Sequence, residues 1–215
     1  MIFSNRNQAA ALLAQRLQEY GGGNPLVLAI PRGAVPMGKI IADALGGELD
    51  VVLTRKLRAP GNPEYAIGAI DETGWAYISE FASSAGATPE YIEEEKKTQL
   101  DTIRRRRKQY TPIHKAADPK GRMVIVVDDG LATGATMIAA LHALRARAPK
   151  MLICAVPVAH PETLKKVAPY ADKVICLHSP ADFYAVGQFY RDFPQVEDDE
   201  VIRILASSGS DKSGP

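Results

Sequence analysis

Four consecutive apolar residues, Val124 to Val127, lead directly into Asp128 and Asp129 and then into a turn rich in glycine and threonine. An apolar run of this kind is typical of a strand that is buried on both faces, as in a parallel sheet. The residues that follow, from Gly130 to Thr136, are small or hydroxylated and open a helical pattern. A strand, an acidic turn and a helix in this order predict a βα unit of an α/β fold.

The rest of the chain repeats this alternation of short apolar segments and amphipathic segments. Right-handed βαβ connections between such segments give a mainly parallel sheet that is flanked by helices. The stretch 55–65 is polar and contains two prolines and a glycine, so we expect a loop there with basic residues at its base. The predicted strands are 26–30, 50–54, 66–70, 75–78, 123–128, 151–158 and 173–177, and the predicted helices, counted with their caps, are 4–20, 35–45, 88–110, 135–147 and 161–170.

The composition argues against several classes of protein. The 215 residues carry a formal net charge of +1, whereas a nucleic-acid partner usually requires a basic field. No apolar run approaches the ~20 residues that a membrane span needs, and the first residues lack a basic-then-apolar leader pattern. Cys154 and Cys176 lie in apolar runs without the spacing of a metal site, so we expect reduced thiols. We therefore expect a cytoplasmic enzyme or binding protein.

The segment from Asp128 to Thr136 contains the residue types of a site for a phosphorylated sugar. Backbone N–H groups at a helix start are unsatisfied and lie at the positive end of the helix dipole, which favours phosphate. Gly134 and Ala135 allow that backbone to approach a ligand, and Thr133 adds a hydroxyl donor. Two carboxylates would repel a bare anion, but they suit the hydroxyls of an attached ribose or a nearby Mg²⁺.

The order of four apolar residues, two acids and Thr-Gly-x-Thr resembles the signature of type I phosphoribosyltransferases for 5-phosphoribosyl diphosphate, PRPP. The resemblance covers nearly all of residues 2–205 and is nearest to bacterial phosphoribosyltransferase-like proteins without a known substrate. It implies a Rossmann-like α/β core with a small hood subdomain, Mg²⁺ as cofactor and a homodimer. It also implies that ribose and 5-phosphate are bound by Asp128, Asp129, Gly130, Ala132, Thr133, Gly134, Ala135 and Thr136, with both aspartates indirectly near the Mg²⁺.

Members of this family hold pyrophosphate on a short loop after the first core strand and close a mobile basic loop over PRPP. Arg32 and Gly33 match the first loop in position and type, and the resemblance implies a strained or cis peptide near them. In the second loop, Lys56 is the best candidate to neutralise the departing pyrophosphate, with Arg55 and Arg58 in reserve. The predicted catalytic residues are Lys56, Asp128 and Asp129, and the predicted pyrophosphate contacts are Arg32, Gly33, Arg55, Lys56 and Arg191.

Two opposing features leave the identity of the acceptor open. Position 132 is alanine, whereas enzymes for 6-oxopurines usually have an aspartate there. The segment from Phe183 to Phe193 nevertheless resembles, with gaps, the hood of those same enzymes, in which an aromatic ring stacks on the base. Phe183 and Tyr184 are therefore the candidates for acceptor binding, against the alternative that such aromatic residues belong to the core.

The resemblance also leads us to expect one domain over residues 1–206. The hood would be formed by 178–195, and part of 72–115 is a candidate addition to it. The polar residues 207–215, rich in glycine and serine, are predicted to be a disordered tail.

Four consecutive arginines, Arg104 to Arg107, end the helix predicted from residue 88. Consecutive helical residues point around most of the circumference, so a solvated helix end competes with an RNA- or partner-binding surface as the interpretation. Two functions stay open: transfer of phosphoribosyl from PRPP to a nitrogenous acceptor such as a nucleobase, and non-catalytic sensing of PRPP or a nucleotide by a protein that binds RNA, DNA or a protein partner. We expect His160 and His178 to be loop residues rather than catalytic ones.

Overall fold

A computed structural model describes residues 1–110 and 116–209 of the chain. Its strands are β1 (Leu26–Ala29), β2 (Glu48–Val51), β3 (Thr54–Ala59), β4 (Asn62–Asp71), β5 (Ala76–Ile78), β6 (Met123–Val127), β7 (Met151–Val158) and β8 (Lys173–His178). Its α-helices are α1 (Arg6–Arg16), α2 (Val35–Leu45), α3 (Pro89–Tyr110), α4 (Ala135–Arg145), α5 (Pro161–Val167) and α6 (Asp198–Gly209). Short 3₁₀ turns follow α1 and α5, and a third covers 186–189.

A five-stranded parallel sheet in the order β2-β1-β6-β7-β8 forms the centre of the fold, as the strand and helix pattern predicted. Alternate residues of its strands enter two separate cores. Val27 and Ile125 belong to the core shared with α1, α2 and α6, whereas Leu26 and Val124 belong to the core shared with α4. Both faces of the sheet are therefore covered, which explains why the central strands are continuously apolar.

Residues 54–78 form a second, antiparallel sheet in the order β3-β4-β5. The prediction of a polar loop at 55–65 was wrong, because β3 and β4 pair as a hairpin around Pro60 and Gly61. Gly61 has a φ of 70°, a conformation that glycine adopts without strain. Register shifts on either side of Arg58 interrupt the alternation of buried and exposed residues, so the strand pattern is hidden in the sequence.

The chain from 198 to 209 forms helix α6, which the sequence reading did not predict. Val201 and Leu205, four residues apart, are fully buried and seat this helix against the first core. Ser207 and Ser208 continue the helix, each donating its hydroxyl to the carbonyl of Ile204 at 2.8 and 2.9 Å. Residues 207–209 of the predicted disordered tail are therefore helical, while 210–215, and 111–115 of the candidate hood, lie outside the described residues.

Several local predictions are confirmed in detail. The side chain of Asn5 accepts a hydrogen bond from the backbone of Gln8 at 3.0 Å and caps α1. Helices α2 and α3 have the predicted extents. Cys154 and Cys176 are free thiols whose pKa values are raised by burial. Over the two described ranges, no helix is long and apolar enough to cross a membrane.

Candidate functional site

The turn between β6 and α4 has a geometry that two close contacts determine. Gly134 precedes α4 with a φ of 78°, and a Cβ atom there would lie 2.9 Å from Thr163 Cγ2, so both conformation and space require glycine. The Thr163 hydroxyl on α5 donates to the carbonyl of Ala132 at 2.8 Å and so fixes the turn to this helix. Ala132 and Thr133 stay exposed. The turn therefore presents the start of α4 toward open space, as an anion site requires.

The two aspartates that follow β6 have different surroundings. Asp128 accepts a hydrogen bond from the backbone N–H of Asp129 at 2.9 Å. Asp129 Oδ2 lies 2.9 Å from both Nε and Nη2 of Arg6, a residue that the sequence reading did not single out. The Tyr190 hydroxyl donates to the backbone carbonyl of Asp129 at 2.7 Å. Asp129 is thus held by two partners, while Asp128 has no charged partner in contact within the described chain.

Burial raises the pKa of both carboxyl groups, and the charge of Asp129 raises the pKa of Asp128 further. Arg6 opposes this shift in Asp129 more strongly than Lys56 does. For Asp128 the opposing charges are Lys56 and then Arg6, and its pKa still lies well above the ordinary value. Asp128 therefore has the more strongly raised pKa of the pair, and no arginine or lysine of the described chain is in ion-pair contact with it.

The loop after β1 lies beside these aspartates because Ala29 and Val127 are register partners in the sheet. The peptide bond between Pro31 and Arg32 is cis, which agrees with the resemblance. A Cβ atom on Gly33 would lie 2.3 Å from Asp129 Oδ2, so the loop can pack here only with glycine. The guanidinium of Arg32 is paired instead with Glu197 and Asp198, at 3.2 and 3.7 Å.

A cavity of about 490 Å³ opens over the turn and brings together several predicted residues. Ala132, Thr133 and Ala135 line one part of it, and Phe183 and Tyr184 line another. The side chain of Tyr184 is 85% exposed, and Phe183 also packs on Phe189 at 5.1 Å between ring centroids. The predicted phosphate turn and the predicted acceptor residues therefore share one space.

Further residues of this cavity were missed by the sequence reading. Three of them are aromatic, Tyr65, Tyr77 and Phe81, and come from the small sheet or the segment just after it. Tyr65 was missed because 55–65 was read as a loop, whereas Tyr77 lies in a predicted strand and Phe81 just beyond it, and neither was assigned to a site. His160, set aside as a loop residue, also lines the cavity, and its Nδ1 accepts from the backbone of Glu162 to cap α5.

A second cavity of about 290 Å³ shares Lys56, Glu64 and Ala66 with the first. Pro31 and Thr136 line it, so it lies between the loop after β1 and the start of α4. Of the predicted pyrophosphate residues, Arg55 and Lys56 line it and Arg32 and Gly33 do not; Arg58 and Arg106 line it as well. Arg191 lines neither cavity; it is exposed, and its backbone N–H donates to the carbonyl of Phe3 at 2.9 Å.

The four arginines at the end of α3 have separate roles. Arg104 pairs with Asp101 at 3.2 Å, and Arg107 binds both Glu72 and the carbonyl of Val51. Arg106 lines the second cavity, whereas Arg105 is exposed. The run is therefore neither a uniform solvated end nor a continuous basic surface.

A family model described as the phosphoribosyl transferase domain matches residues 1–194. The chain belongs to this family. A Mycobacterium tuberculosis protein provisionally named a phosphoribosyl transferase is 38% identical over 205 residues, which are 95% of this chain and 46% of that protein. The present chain thus spans about half the length of the curated relatives it matches.

Solved structures agree with this membership at the level of the fold. The crystal structure of TT1426 from Thermus thermophilus is 44% identical, with a TM-score of 0.80 over 96% of this chain and 99% of that one. A hypothetical protein from Neisseria gonorrhoeae, solved with bound ppGpp, is 15% identical, with a TM-score of 0.50 over 97% and 98% of the two chains. The second likeness shows the fold alone. This phosphoribosyl transferase domain therefore has the parallel α/β core of its family plus the small antiparallel sheet.

Proposed function

We propose that this domain transfers the 5-phosphoribosyl group of PRPP to a nitrogenous acceptor and releases pyrophosphate. The observation that carries the proposal is the pair of adjoining cavities that share Lys56. One holds the signature turn and the aromatic residues, and the other holds a cluster of cations. This division fits a reaction in which an anionic leaving group lies in the cavity with the cations and a planar acceptor lies in the cavity with the aromatic residues.

In this proposal the 5-phosphate binds at the start of α4. The backbone N–H groups there lack helical partners, and the hydroxyls of Thr133 and Thr136 can add hydrogen bonds. Asp128 accepts hydrogen bonds from the ribose hydroxyls, since no cation of the described residues forms an ion pair with it. Asp129, whose carboxylate binds Arg6, mainly keeps the loop after β1 packed against the turn that follows β6. The two acids of the signature thus divide binding and positioning between them.

The leaving pyrophosphate would lie in the second cavity. Lys56 borders both cavities, so its ammonium group can stabilise the negative charge that develops as the bond at ribose C1 breaks. The family resemblance implies a displacement through an oxocarbenium-like state, in which the protein positions the reactants and stabilises charge. The cations Arg55 and Lys56, which line the second cavity, carry out this task, and Arg32 would have to leave Glu197 to join them.

Mg²⁺ is the cofactor we propose. In the described ranges no group of three histidine, cysteine or carboxylate side chains could enclose a metal ion. Mg²⁺ characteristically keeps several waters and binds through one or two carboxylates and substrate phosphates, so Asp128 beside a diphosphate fits it. When bound, Mg²⁺ supplies charge neutralisation on the diphosphate.

The acceptor we propose is a planar nitrogenous ring, such as a nucleobase. Phe183 and Tyr184 line the larger cavity together with Ala132. The small side chain of Ala132 leaves room where an aspartate would otherwise face the acceptor ring. Ring stacking on an aromatic side chain is the physical basis of this assignment. The homodimer, the cytoplasmic location, the single domain over 1–206 and the hood at 178–195 stay predictions.

Turnover tests the proposal directly. The full chain is incubated with PRPP, Mg²⁺ and a panel of nucleobases, and pyrophosphate release is measured against the Asp128→Asn variant. We expect release with at least one base and none with the variant. PRPP binding without release for every base would contradict transfer and favour the sensing alternative. Salt-dependent RNA binding that changes with PRPP would then support that alternative.

A further inference from the structure

The smaller cavity collects four cationic side chains from two elements that are distant in sequence. Arg55, Lys56 and Arg58 come from β3, and Arg106 comes from the last turns of α3. Glu64 is the one acidic residue among those that line the cavity. The clustering is therefore a product of the tertiary fold, because Arg106 lies about fifty positions from the others in the chain.

These four cations have no carboxylate in ion-pair contact among the described residues. Two other arginines of the run, Arg104 and Arg107, each pair with an acid, whereas Arg105 is exposed. Burial lowers the pKa of Arg55, and repulsion from Arg106, Arg58 and, least of all, Arg105 lowers it further, against an opposing effect of Glu95. Like charges held together at a partly buried place are unfavourable unless an anion joins them.

Hydrogen bonds that do not use the charges of the cations as ion pairs hold the cluster in place. Arg55 Nε donates to the side-chain carbonyl of Gln99 on α3 at 3.0 Å. The amide of Gln99 donates in turn to Glu95 Oε1 at 2.9 Å, and the same oxygen accepts from the backbone N–H of Arg58 at 3.0 Å. Tyr91 donates its hydroxyl to the carbonyl of Arg58 at 3.0 Å. The hairpin is fastened to α3 through its backbone, the amide of Gln99 and the carboxylate of Glu95, without an ion pair to the guanidinium groups of Arg55, Arg58 or Arg106 among the described residues.

We propose that Arg58 and Arg106 complete a diphosphate-binding pocket with Arg55 and Lys56, so that helix α3 contributes directly to holding the leaving group. The ligand class is a phosphoanhydride with several negative oxygens, for which forked guanidinium donors are well suited. This inference rests on the proposed transfer reaction, which supplies pyrophosphate as the anion. It assigns Arg106 a role that its position in a run of arginines would not indicate.

Binding of inorganic pyrophosphate to the full chain tests the pocket without any acceptor. Affinity is measured by calorimetry at one fixed salt concentration for the wild type and for Arg106→Ala, Arg58→Ala and Arg105→Ala. Arg105→Ala is the matched control, because it removes the same charge from the adjacent, exposed position. We expect the pyrophosphate affinity to fall roughly tenfold or more for Arg106→Ala and Arg58→Ala, as for the loss of a charge-assisted hydrogen bond. For the control we expect it to fall less than about twofold.

The outcomes separate this inference from the proposed function. Equal losses for Arg106→Ala and Arg105→Ala, or no pyrophosphate binding by the wild type, would overturn the pocket. If Arg106→Ala loses pyrophosphate affinity, Arg105→Ala does not, and the wild type turns over no base, the pocket is kept and the transferase is rejected. Turnover by the wild type, together with an unchanged pyrophosphate affinity in Arg106→Ala, would keep the transferase and reject the pocket. Circular dichroism checks the fold of each variant, and Arg106→Gln, which keeps much of the aliphatic stem, replaces Arg106→Ala if that variant unfolds.

Discussion

Arg6 binds Asp129 through two nitrogens, Nε and Nη2, that both lie 2.9 Å from the same carboxylate oxygen. The same guanidinium donates to the carbonyl of Pro194 at 2.6 Å and lies 3.7 Å from the ring centroid of Phe193. One side chain of α1 therefore joins the signature turn to the segment before α6. The family resemblance implied like roles for the two aspartates, whereas their surroundings differ, since Arg6 contacts Asp129 and not Asp128.

Breaking this pair from one side should destabilise the fold. Arg6→Met leaves Asp129 without its partner, and we expect a loss of about 3 kcal/mol, at the low end for a broken buried ion pair. Urea unfolding measures it. The double variant Arg6→Met with Asp129→Asn leaves no unpaired charge and should lose less. Equal losses in the single and double variants would contradict the electrostatic explanation.

Asp128 should make the folded state less stable as pH rises. Burial and the charge of Asp129 raise its pKa well above the ordinary 3.8, so the folded state holds the proton more tightly than the unfolded chain. Stability then falls as pH increases from 3.8 through the raised pKa. Asp128→Asn should remove this fall, giving a higher Tm than wild type at pH 7 but weaker PRPP binding.

Thermal unfolding from pH 4 to pH 8 gives the measurement for Asp128, and Asp199→Asn, at an exposed position on α6, controls for the change in net charge. A constant Tm difference between Asp128→Asn and wild type across this range would show that the raised pKa does not govern stability.

Gly33→Ala should impair PRPP binding through Asp129. The added methyl would lie 2.3 Å from Asp129 Oδ2, so either the loop or the carboxylate must move. We expect a stability loss of about 1–3 kcal/mol, as for an overpacked site, and weaker PRPP binding. Gly23→Ala is the control, because nothing lies within 4 Å of its added atom. PRPP affinity that is the same in both variants would contradict the predicted clash.

Tyr184→Ala should affect the acceptor alone. The side chain is 85% exposed and lines the larger cavity, so its removal should leave the fold intact. Loss of base stacking, worth about 1–3 kcal/mol, predicts a KM for the acceptor raised about fivefold or more. The KM for PRPP serves as the internal reference and should not change. Equal increases in both constants would place Tyr184 outside the acceptor site.

Local sequence patterns were enough to predict the central architecture. The continuous apolar strands, the caps of α1 and α3 and the small residues around Gly134 each act within a few positions of the chain. Such signals are read correctly because the physical preference and the residues that express it are close together. The α/β class, the five strands of the central sheet and the place of the signature turn therefore followed from the sequence.

Only the tertiary structure decided which distant side chains meet. Arg6 and Asp129 are 123 positions apart, and Arg106 reaches the cavity of β3 across the packing of α3 on the hairpin. The β3–β4 hairpin was missed because register shifts disturb its alternation, whereas α6 was missed although Val201 and Leu205 recur at helical spacing. Long-range ion pairs and shared cavities depend on the geometry of packed elements, which periodicity and composition do not contain.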